Sequence, residues 1–481
     1  KKKAQEALTR IREAQANQVY PYFRPFESGG LHTTIDGKPI VNFSSNDYLG
    51  LTTHPKVKEA AKAAVDKFSC GLSSSRVQAT TTAHVELEER LAFLAASLNS
   101  SYGPDRGSVS LNLLAKDLDE GLAILREVLT APRFQDDKLT LRRDQLLNDM
   151  KSRNDDTADI EQRERGFLAF GEEYYTNRYT TKASLESITR EDLLAFHRKW
   201  VDPRNVTVAV AGDFGKGVTR AQMIAKLDAL FAKWPYKGEA APPVPAPSHA
   251  MAPGLYVVDK DVNQGRVSVM LPALPRTDPD YDAALVMNDV LGGGGFTSRI
   301  TNRVRSDEGL AYSAGSGIVG GVWFPATFRA SFQSKARTCA YATQIVLEEM
   351  TKVRDAEVTD EELQTAKSSF IDTLSRNFAT KAQTVNVFLD EEFTGRFAKD
   401  PEYYRNYAAR IEKVTKADVQ RVARRLLATD QVTVLAVGKK DDLLNPDPKH
   451  PVKFPELTGG KLTDLPLRDP FTMKPLAPAA K

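Results

Sequence analysis

The chain has 481 residues, 41% of them hydrophobic, and its 66 Lys and Arg residues nearly balance its 63 Asp and Glu residues. This composition excludes wholesale disorder, and a net charge of +3 does not suggest the clustered basic face that nucleic-acid binding requires. Two cysteines exclude a disulfide framework, and no run approaches the roughly 18 apolar residues of a membrane span. The start lacks a signal peptide, so we expect a cytoplasmic protein, or a periplasmic one if a leader was removed.

The first half of the chain predicts a series of helices followed by a strand. Amphipathic patterns predict helices over LDEGLAILREVL (118–129) and FQDDKLTLRRDQLLNDM (134–150). The pair Thr189 and Asp192 is a capping signature that starts a third helix, which leads into the apolar strand VTVAVAG (206–212). The stretch that follows, 236–253, is rich in Pro and Ala and predicts an interdomain linker.

The second half of the chain predicts a similar order of elements. Strands are predicted over GLYVVDK and RVSVMLPAL, and helices over YDAALVMNDVL, YATQIVLEEMTKV and VTDEELQTAKSSFIDTL. The glycine run 292–295 is followed by no Lys-Ser or Lys-Thr, which favours a helix-to-turn cluster over a phosphate-binding loop. After residue 445 prolines recur every few residues, which predicts a tail that lies extended on the surface or is disordered.

An internal repeat organises these elements. Residues 188–212 align without a gap with residues 414–438, at an offset of 226, through a capping pair, a helix and a short apolar strand. In the second copy the capping pair is Thr415 and Asp418, and the strand is VTVLAVG. We interpret the repeat as a duplication. The front portion of the second copy, 254–325, has no visible counterpart at the corresponding position near 28–99.

From about residue 95 to residue 438 the chain resembles the insulinase and mitochondrial-processing-peptidase family of metallopeptidases, the inverzincins. The resemblance is carried by SVSLNLLAKDLDEGLAILREVLTAPRF, ITREDLLAFHRKWVDPRNVTVAVAGDF and LGGGGFTSRITNRVRSDEGLAYSAGSG. In the last stretch Arg305 and Tyr312 match the Arg/Tyr pair of the family's second domain. The resemblance implies tandem α+β domains, in which Arg305 hydrogen-bonds substrate backbone and Tyr312 helps to stabilise the oxyanion of peptide hydrolysis.

The zinc motif of that family, H-x-x-E-H, is missing from the chain. The motif works because two imidazoles share one helix face with a general-base glutamate between them. None of the six histidines has a second one nearby; they are His32, His54, His84, His197, His249 and His450. The family's downstream glutamate falls on Asp149, and His84 with Glu88 supplies only two groups on one helix face. We therefore expect this chain alone to bind no metal and no cofactor, with zinc only on a partner subunit.

Residues 20–93 resemble the N-terminal part of the α-oxoamine synthases, pyridoxal-phosphate enzymes that condense an amino acid with an acyl thioester. The matching residues are the N-D-Y-L-G turn at 46–50, Ser75-Arg76 and the element that begins at His84. In that family the Schiff-base lysine and the carboxylate for the ring nitrogen lie beyond the end of the similarity, so the resemblance implies an incomplete cofactor site. A fusion of two genes, with its seam near 86–97, is the simplest history.

These observations predict an α+β fold of tandem duplicated peptidase-family domains, the first one incomplete, behind an α/β-type N-terminal fragment. We expect the synthase-like fragment at 1–95 and the first inverzincin-like domain, without its front portion, at 96–235. The linker follows at 236–253. The second inverzincin-like domain, with the Arg/Tyr pair, is expected at 254–444, and the Pro-rich tail at 445–481.

Three functions compete on this sequence. The first is an Arg/Tyr-type subunit, inactive alone, that assists hydrolysis of a peptide substrate in a heterodimer with a zinc-bearing homologous subunit. The second is a non-catalytic peptide-binding or scaffold subunit that uses the same cleft. The third is a remnant pyridoxal-phosphate acyltransferase.

Overall fold

The computed structural model describes residues 32–35, 38–41, 54–56, 58–59, 82–213, 218–232, 234–319, 321–325 and 327–477. The chain divides into two compact units, Lys1–Phe93 and Leu94–Lys481. In the first unit an antiparallel pair joins β1 (His32–Ile35) to β2 (Lys38–Val41), and α1 spans Thr82–Phe93. The N-D-Y-L-G turn at 46–50 and Ser75-Arg76 lie outside the described residues.

The second unit begins with a half that is largely helical, residues 94–235, here called the first half. Its only described strands form a two-stranded antiparallel pair, β3 (Ser97–Tyr102) and β4 (Gly107–Asn112). Six helices follow in chain order: α2 (Leu118–Thr130), α3 (Asp136–Lys151), α4 (Thr157–Phe170), α5 (Lys182–Ser187), α6 (Arg190–Trp200) and α7 (Arg220–Phe231). The predicted helices at 118–129 and 134–150 are thus present as α2 and α3.

The second half, residues 254–444, is built on a six-stranded sheet. Its strands are β5 (Gly254–Asp259), β6 (Gln264–Pro272), β7 (Ala311–Val319), β8 (Thr327–Lys335) and β9 (Thr433–Gly438), completed by β10 (Leu462–Leu465) from the tail. The strand order is β10-β5-β9-β6-β8-β7. Strand β9 is central, parallel to β5 on one side and antiparallel to β6 on the other.

Helices cover both faces of this sheet. The helices of the second half are α8 (Tyr281–Asn288), α9 (Cys339–Asp355), α10 (Asp360–Thr373), α11 (Lys381–Phe393), α12 (Arg396–Lys399), α13 (Tyr403–Lys413), α14 (Lys416–Leu426) and α15 (Lys440–Leu444). The main core lies on the side of α8, α9 and α14. On the opposite face, Ile160 of α4 packs with Met270 and Leu435 in a smaller cluster.

The two copies of the repeat have the same kind of capping box at the start of a helix. Thr189 accepts a hydrogen bond from the backbone N–H of Asp192 at the start of α6, and the Asp192 carboxylate accepts one from the Thr189 N–H. Thr415 and Asp418 repeat the same capping box at the start of α14. Both predicted caps are confirmed, because a capping box depends only on residues within one turn of the chain.

The predicted strand over 206–212 is wrong. Its counterpart β9 is buried along its whole length, whereas 207–212 forms no backbone hydrogen bond to any described residue and is not a strand. The apolar pattern is the same in both copies. The difference is that β9 lies between β5 and β6, and the first half has no described strand beside 207–212.

The described part of the Pro-rich tail takes part in the fold. Phe454 is fully buried in a short 3-10 turn, and β10 adds an edge strand parallel to β5. Beyond β10, Arg468 is buried, and its guanidinium contacts Glu164 of α4 and Glu172, which follows that helix. The prolines flank β10 rather than interrupt it, so the tail keeps a strand at the edge of the sheet, where proline is tolerated.

Candidate functional site

Arg305 lies on a short helical segment that is firmly anchored in the second half. The segment starts as a helical turn, Arg299–Thr301, and continues as a π-helical turn, Asn302–Asp307. Arg299 donates two hydrogen bonds to the carboxylate of Glu362, at 2.6 and 2.8 Å, and this contact lowers the pKa of Glu362. Two apolar side chains of the segment, Ile300 and Val304, are fully buried in the main core. The backbone that carries Arg305 is therefore fixed.

The glycine run 292–295 positions the residue that follows it. Gly292 packs so closely on β7 that a Cβ atom there would lie 2.5 Å from the backbone nitrogen of Ser316. Gly295 has a φ of +60°, in the left-handed region that glycine adopts at little cost. The run ends a helix and forms a turn, as predicted, and the next residue, Phe296, is presented at the surface with 64% of its side chain exposed.

Arg305 and Tyr312 come together at the surface, and Phe296 joins them. The carbon at the centre of the Arg305 guanidinium lies 4.5 Å from the ring centroid of Phe296 and 4.8 Å from that of Tyr312. Tyr312, the second residue of β7, is 85% exposed. Both ring contacts are cation–π interactions, which orient the planar guanidinium between two aromatic side chains.

This arrangement leaves hydrogen-bond donors facing outward. Within the part of the chain that the structure describes, neither the Arg305 guanidinium nor the Tyr312 hydroxyl has a hydrogen-bond or ion-pair partner, although almost every other arginine of the second half pairs with a carboxylate or a carbonyl. A guanidinium and a phenol close to each other can both donate to carbonyl or carboxylate oxygens. The half-buried Arg305 and the exposed Tyr312 therefore bring two kinds of hydrogen-bond donor together on one surface.

The sequence prediction missed Phe296. The sequence feature that could have identified it is its position directly after the glycine run, since such runs present the next side chain at a turn. Nothing in the sequence indicates that this ring lies over a guanidinium nine positions further along the chain, because that contact depends on how the segment turns after Gly295.

Three of the described histidines, His197, His249 and His450, have structural partners. His197 is buried on α6, where its Nδ1 lies 3.0 Å from the hydroxyl of Tyr236, and burial lowers its pKa. His249 contacts the carbonyl of Leu168 through Nε2, and His450 stacks on the ring of Tyr341. These contacts are those of ordinary structural histidines.

The donor groups that the sequence placed near the family's zinc position do not come together. Asp149 is an exposed residue near the end of α3, and Glu88 is exposed on α1. His84 belongs to α1, but its side chain lies outside the described residues. Over the described ranges, no three His, Cys, Asp or Glu side chains are grouped so that they could hold a metal ion. The described side chains therefore do not fit a zinc site.

An open groove of about 570 Å³ lies between α2 and α7 in the first half, away from the Arg/Tyr pair. Its walls are mixed, with Leu122 and Leu230 beside Asp119 and Lys226. An ion pair joins Asp119 to Lys226 across the groove. The groove thus offers no free nucleophile or general base among these residues.

Comparison with known proteins identifies the region that carries the site. Residues 187–370 match the family model described as the Peptidase M16 inactive domain. The chain is also 27% identical over 203 residues to an uncharacterized zinc protease of Streptomyces coelicolor. The resemblance to zinc metallopeptidases that the sequence predicted is confirmed at this level, and the matched region contains both Arg305 and Tyr312.

Solved structures support the fold. The chain of a peptidase M16 inactive domain from Pseudomonas fluorescens superposes with a TM-score of 0.66 at 22% identity, covering 74% of this chain and 83% of that one. A protease from Helicobacter pylori gives a TM-score of 0.62 at 19% identity, covering 73% and 84%. A chain of complex III2 from Candida albicans gives 0.58 at 13%, covering 76% and 86%. The predicted α+β class is confirmed.

The N-terminal resemblance is confirmed over a short stretch. The chain is 41% identical over 86 residues to a serine palmitoyltransferase of Sphingobacterium spiritivorum and 40% identical over 85 residues to an 8-amino-7-oxononanoate synthase of Thermoanaerobacter pseudethanolicus. The chain spans 22% of each synthase and 44% of the Streptomyces zinc protease. No helix in the described ranges has the length and apolarity to cross a bilayer.

Proposed function

We propose that this protein supplies the Arg305/Tyr312 part of a composite peptidase site, and that a homologous partner subunit supplies the zinc. The observation that carries the proposal is the guanidinium of Arg305, held between Phe296 and Tyr312 at the surface with its hydrogen-bonding edge unpaired among the described residues. Leaving this guanidinium in solvent costs little free energy, and its N–H donors are available to bind a peptide.

The two residues have different roles in this proposal. Arg305 donates to peptide carbonyl oxygens, which binds the substrate in its ground state and its transition state alike. Tyr312 donates to the carbonyl oxygen that gains negative charge during hydrolysis, so its hydrogen bond strengthens as the reaction proceeds. The metal-bound nucleophile and the general base belong to the partner, because the described donor groups of this chain do not fit zinc.

The test is a reconstitution with a homologous chain that carries H-x-x-E-H, assayed on one fluorogenic peptide. We expect no chelator-sensitive cleavage by this protein alone, and activity after mixing. Tyr312→Phe should lower kcat by roughly 10²-fold, about 3 kcal/mol, because it removes one oxyanion donor and keeps the ring. Arg305→Ala should mainly raise KM.

Two matched control variants separate these changes in kcat and KM from general disruption of the structure. Tyr102→Phe removes the hydroxyl of another exposed tyrosine, and Arg405→Ala removes an exposed arginine far along the chain; both should leave kinetics unchanged. If Tyr312→Phe keeps kcat within about twofold while the complex stays intact, the protein is a non-catalytic peptide-binding or scaffold subunit. Stoichiometric zinc on the isolated chain, lost on replacing His84, would contradict the proposal.

A further inference from the structure

Residues 207–212 of the first half have a strand sequence but pair with no strand in the part of the chain that the structure describes. They read TVAVAG, and their repeat counterpart β9 reads TVLAVG. In β9 every residue is buried, and Val434 and Leu435 are fully so. In the first half Val208 is 43% exposed and Val210 is 41% exposed. Two positions apart, these valines share one face of an extended chain.

The backbone of the same segment also differs from that of β9. Strand β9 forms ladders with β5 on one side and β6 on the other, whereas 207–212 makes no backbone hydrogen bond to any residue that the structure describes. A similar contrast holds for the neighbouring strands of the repeat. Strand β8 pairs with both β6 and β7, whereas β4 pairs among the described strands only with β3. Unpaired strand edges with apolar side chains favour the addition of another strand.

We propose that residues 207–212 are a docking site for an apolar strand–loop–strand segment of a partner protein. The second half shows what such a segment must look like, because β5 and β6 flank β9 as one continuous stretch, 254–272, with a short loop between them. The docked segment runs parallel to 207–212 on one side and antiparallel on the other, so that its backbone pairs with 207–212 and its apolar side chains pack beside Val208 and Val210. This is β-strand addition.

The chemistry of the second half sets the specificity of this docking site. Strand β6 presents Val267, Val269 and Leu271 to the main core, and all three are buried. A segment that docks on the first half needs the same alternation of apolar residues, since a slip by one residue would turn its polar face inward. The proposal is independent of the Arg/Tyr site, which lies in the other half of the repeat.

The test uses a fluorescently labelled synthetic peptide of residues 254–272 and the full chain, with binding followed by fluorescence anisotropy. We expect saturable binding that Val208→Ser/Val210→Ser weakens about tenfold or more, because both apolar contacts are lost. A matched control, Leu141→Ser, changes a side chain that is 44% exposed on α3 and should leave binding unchanged. A peptide carrying Val267→Pro and Val269→Pro should not bind, because proline cannot donate to a ladder.

Each other outcome overturns the proposal. Absence of saturable binding, equal binding of the proline peptide, or binding that Val208→Ser/Val210→Ser leaves intact would show that 207–212 is not a strand acceptor. If sedimentation shows a dimer of this chain that Val208→Ser/Val210→Ser dissociates, the occupant is a second copy and not a partner's segment. Thermal unfolding of each variant confirms that the chain is still folded.

Discussion

The two halves of the repeat share the same helix–strand pattern of capping pair, helix and apolar segment, yet only one of them makes the strand. In the second half 433–438 is the buried centre of a six-stranded sheet, and in the first half 207–212 is solvent-exposed and unpaired among the described residues. The two segments are preceded by the same Thr–Asp capping box and by helices of equal length, 11 residues each. The comparison teaches that a helix start is set by its own residues, whereas a strand exists only where neighbours accept its hydrogen bonds.

The largest expected effect comes from matched substitutions at the repeat positions Val208 and Val434. Val434→Asp places a carboxylate without a partner where the side chain is fully buried, and should cost about 4 kcal/mol or more of unfolding free energy. Val208→Asp changes a side chain that is 43% exposed and should cost no more than about 0.5 kcal/mol. Urea unfolding measures both. Equal costs would mean that the two segments share one environment.

A smaller effect is expected where the tail joins the two halves. Arg468 is 7% exposed, and its guanidinium contacts Glu164 and Glu172 of the first half. Arg468→Ala leaves Glu164 buried with Arg163 as its remaining partner, so we expect a loss of about 2 kcal/mol. The control Arg405→Ala, at an exposed pair with Glu402, should change stability by less than about 0.5 kcal/mol. A loss of unfolding free energy no larger than that of Arg405→Ala would show that the tail does not stabilise the first half.

The smallest effect tests what the halves share. Thr189→Ala and Thr415→Ala each remove the threonine hydroxyl that accepts the backbone hydrogen bond of a capping box. Each should lower the unfolding free energy by about 1 kcal/mol, because the cap satisfies the same backbone N–H in both copies. Thermal or denaturant unfolding of the two variants gives the comparison. A cost for Thr189→Ala far below that of Thr415→Ala would mean that the start of α6 frays and that the halves differ even in their local structure.

The sequence predicted most of what depends on local pattern. The helices α2, α3, α9 and α10, the two capping boxes and the strands β5, β6 and β9 all follow from apolar periodicity and end signals. The pairing of β10 with β5 was not predictable, because the tail's prolines indicate the absence of regular structure and only the three-dimensional sheet offers the edge that β10 occupies.

The candidate site shows the same limit. Arg305 and Tyr312 were found through resemblance to a family, and the structure brings them together as neighbours on one surface. The ring of Phe296 over Arg305 results from the turn at Gly295, a tertiary arrangement that no spacing in the sequence indicates. The failure of the 206–212 prediction has the same origin, since the sequence pattern of a strand does not say whether its neighbours are present.

Hydrogen exchange of the full chain, read by mass spectrometry on peptides covering 207–212 and 433–438, tests the central comparison most directly. The account predicts that the amides of 433–438 exchange only on global unfolding, whereas those of 207–212 exchange near the rate of an unpaired chain. The two segments differ at three of six positions, each time by an exchange among Ala, Val and Leu, so intrinsic exchange rates cannot produce a large gap between them. Equal and strong protection of both segments would show that 207–212 is a paired strand, and would contradict the account.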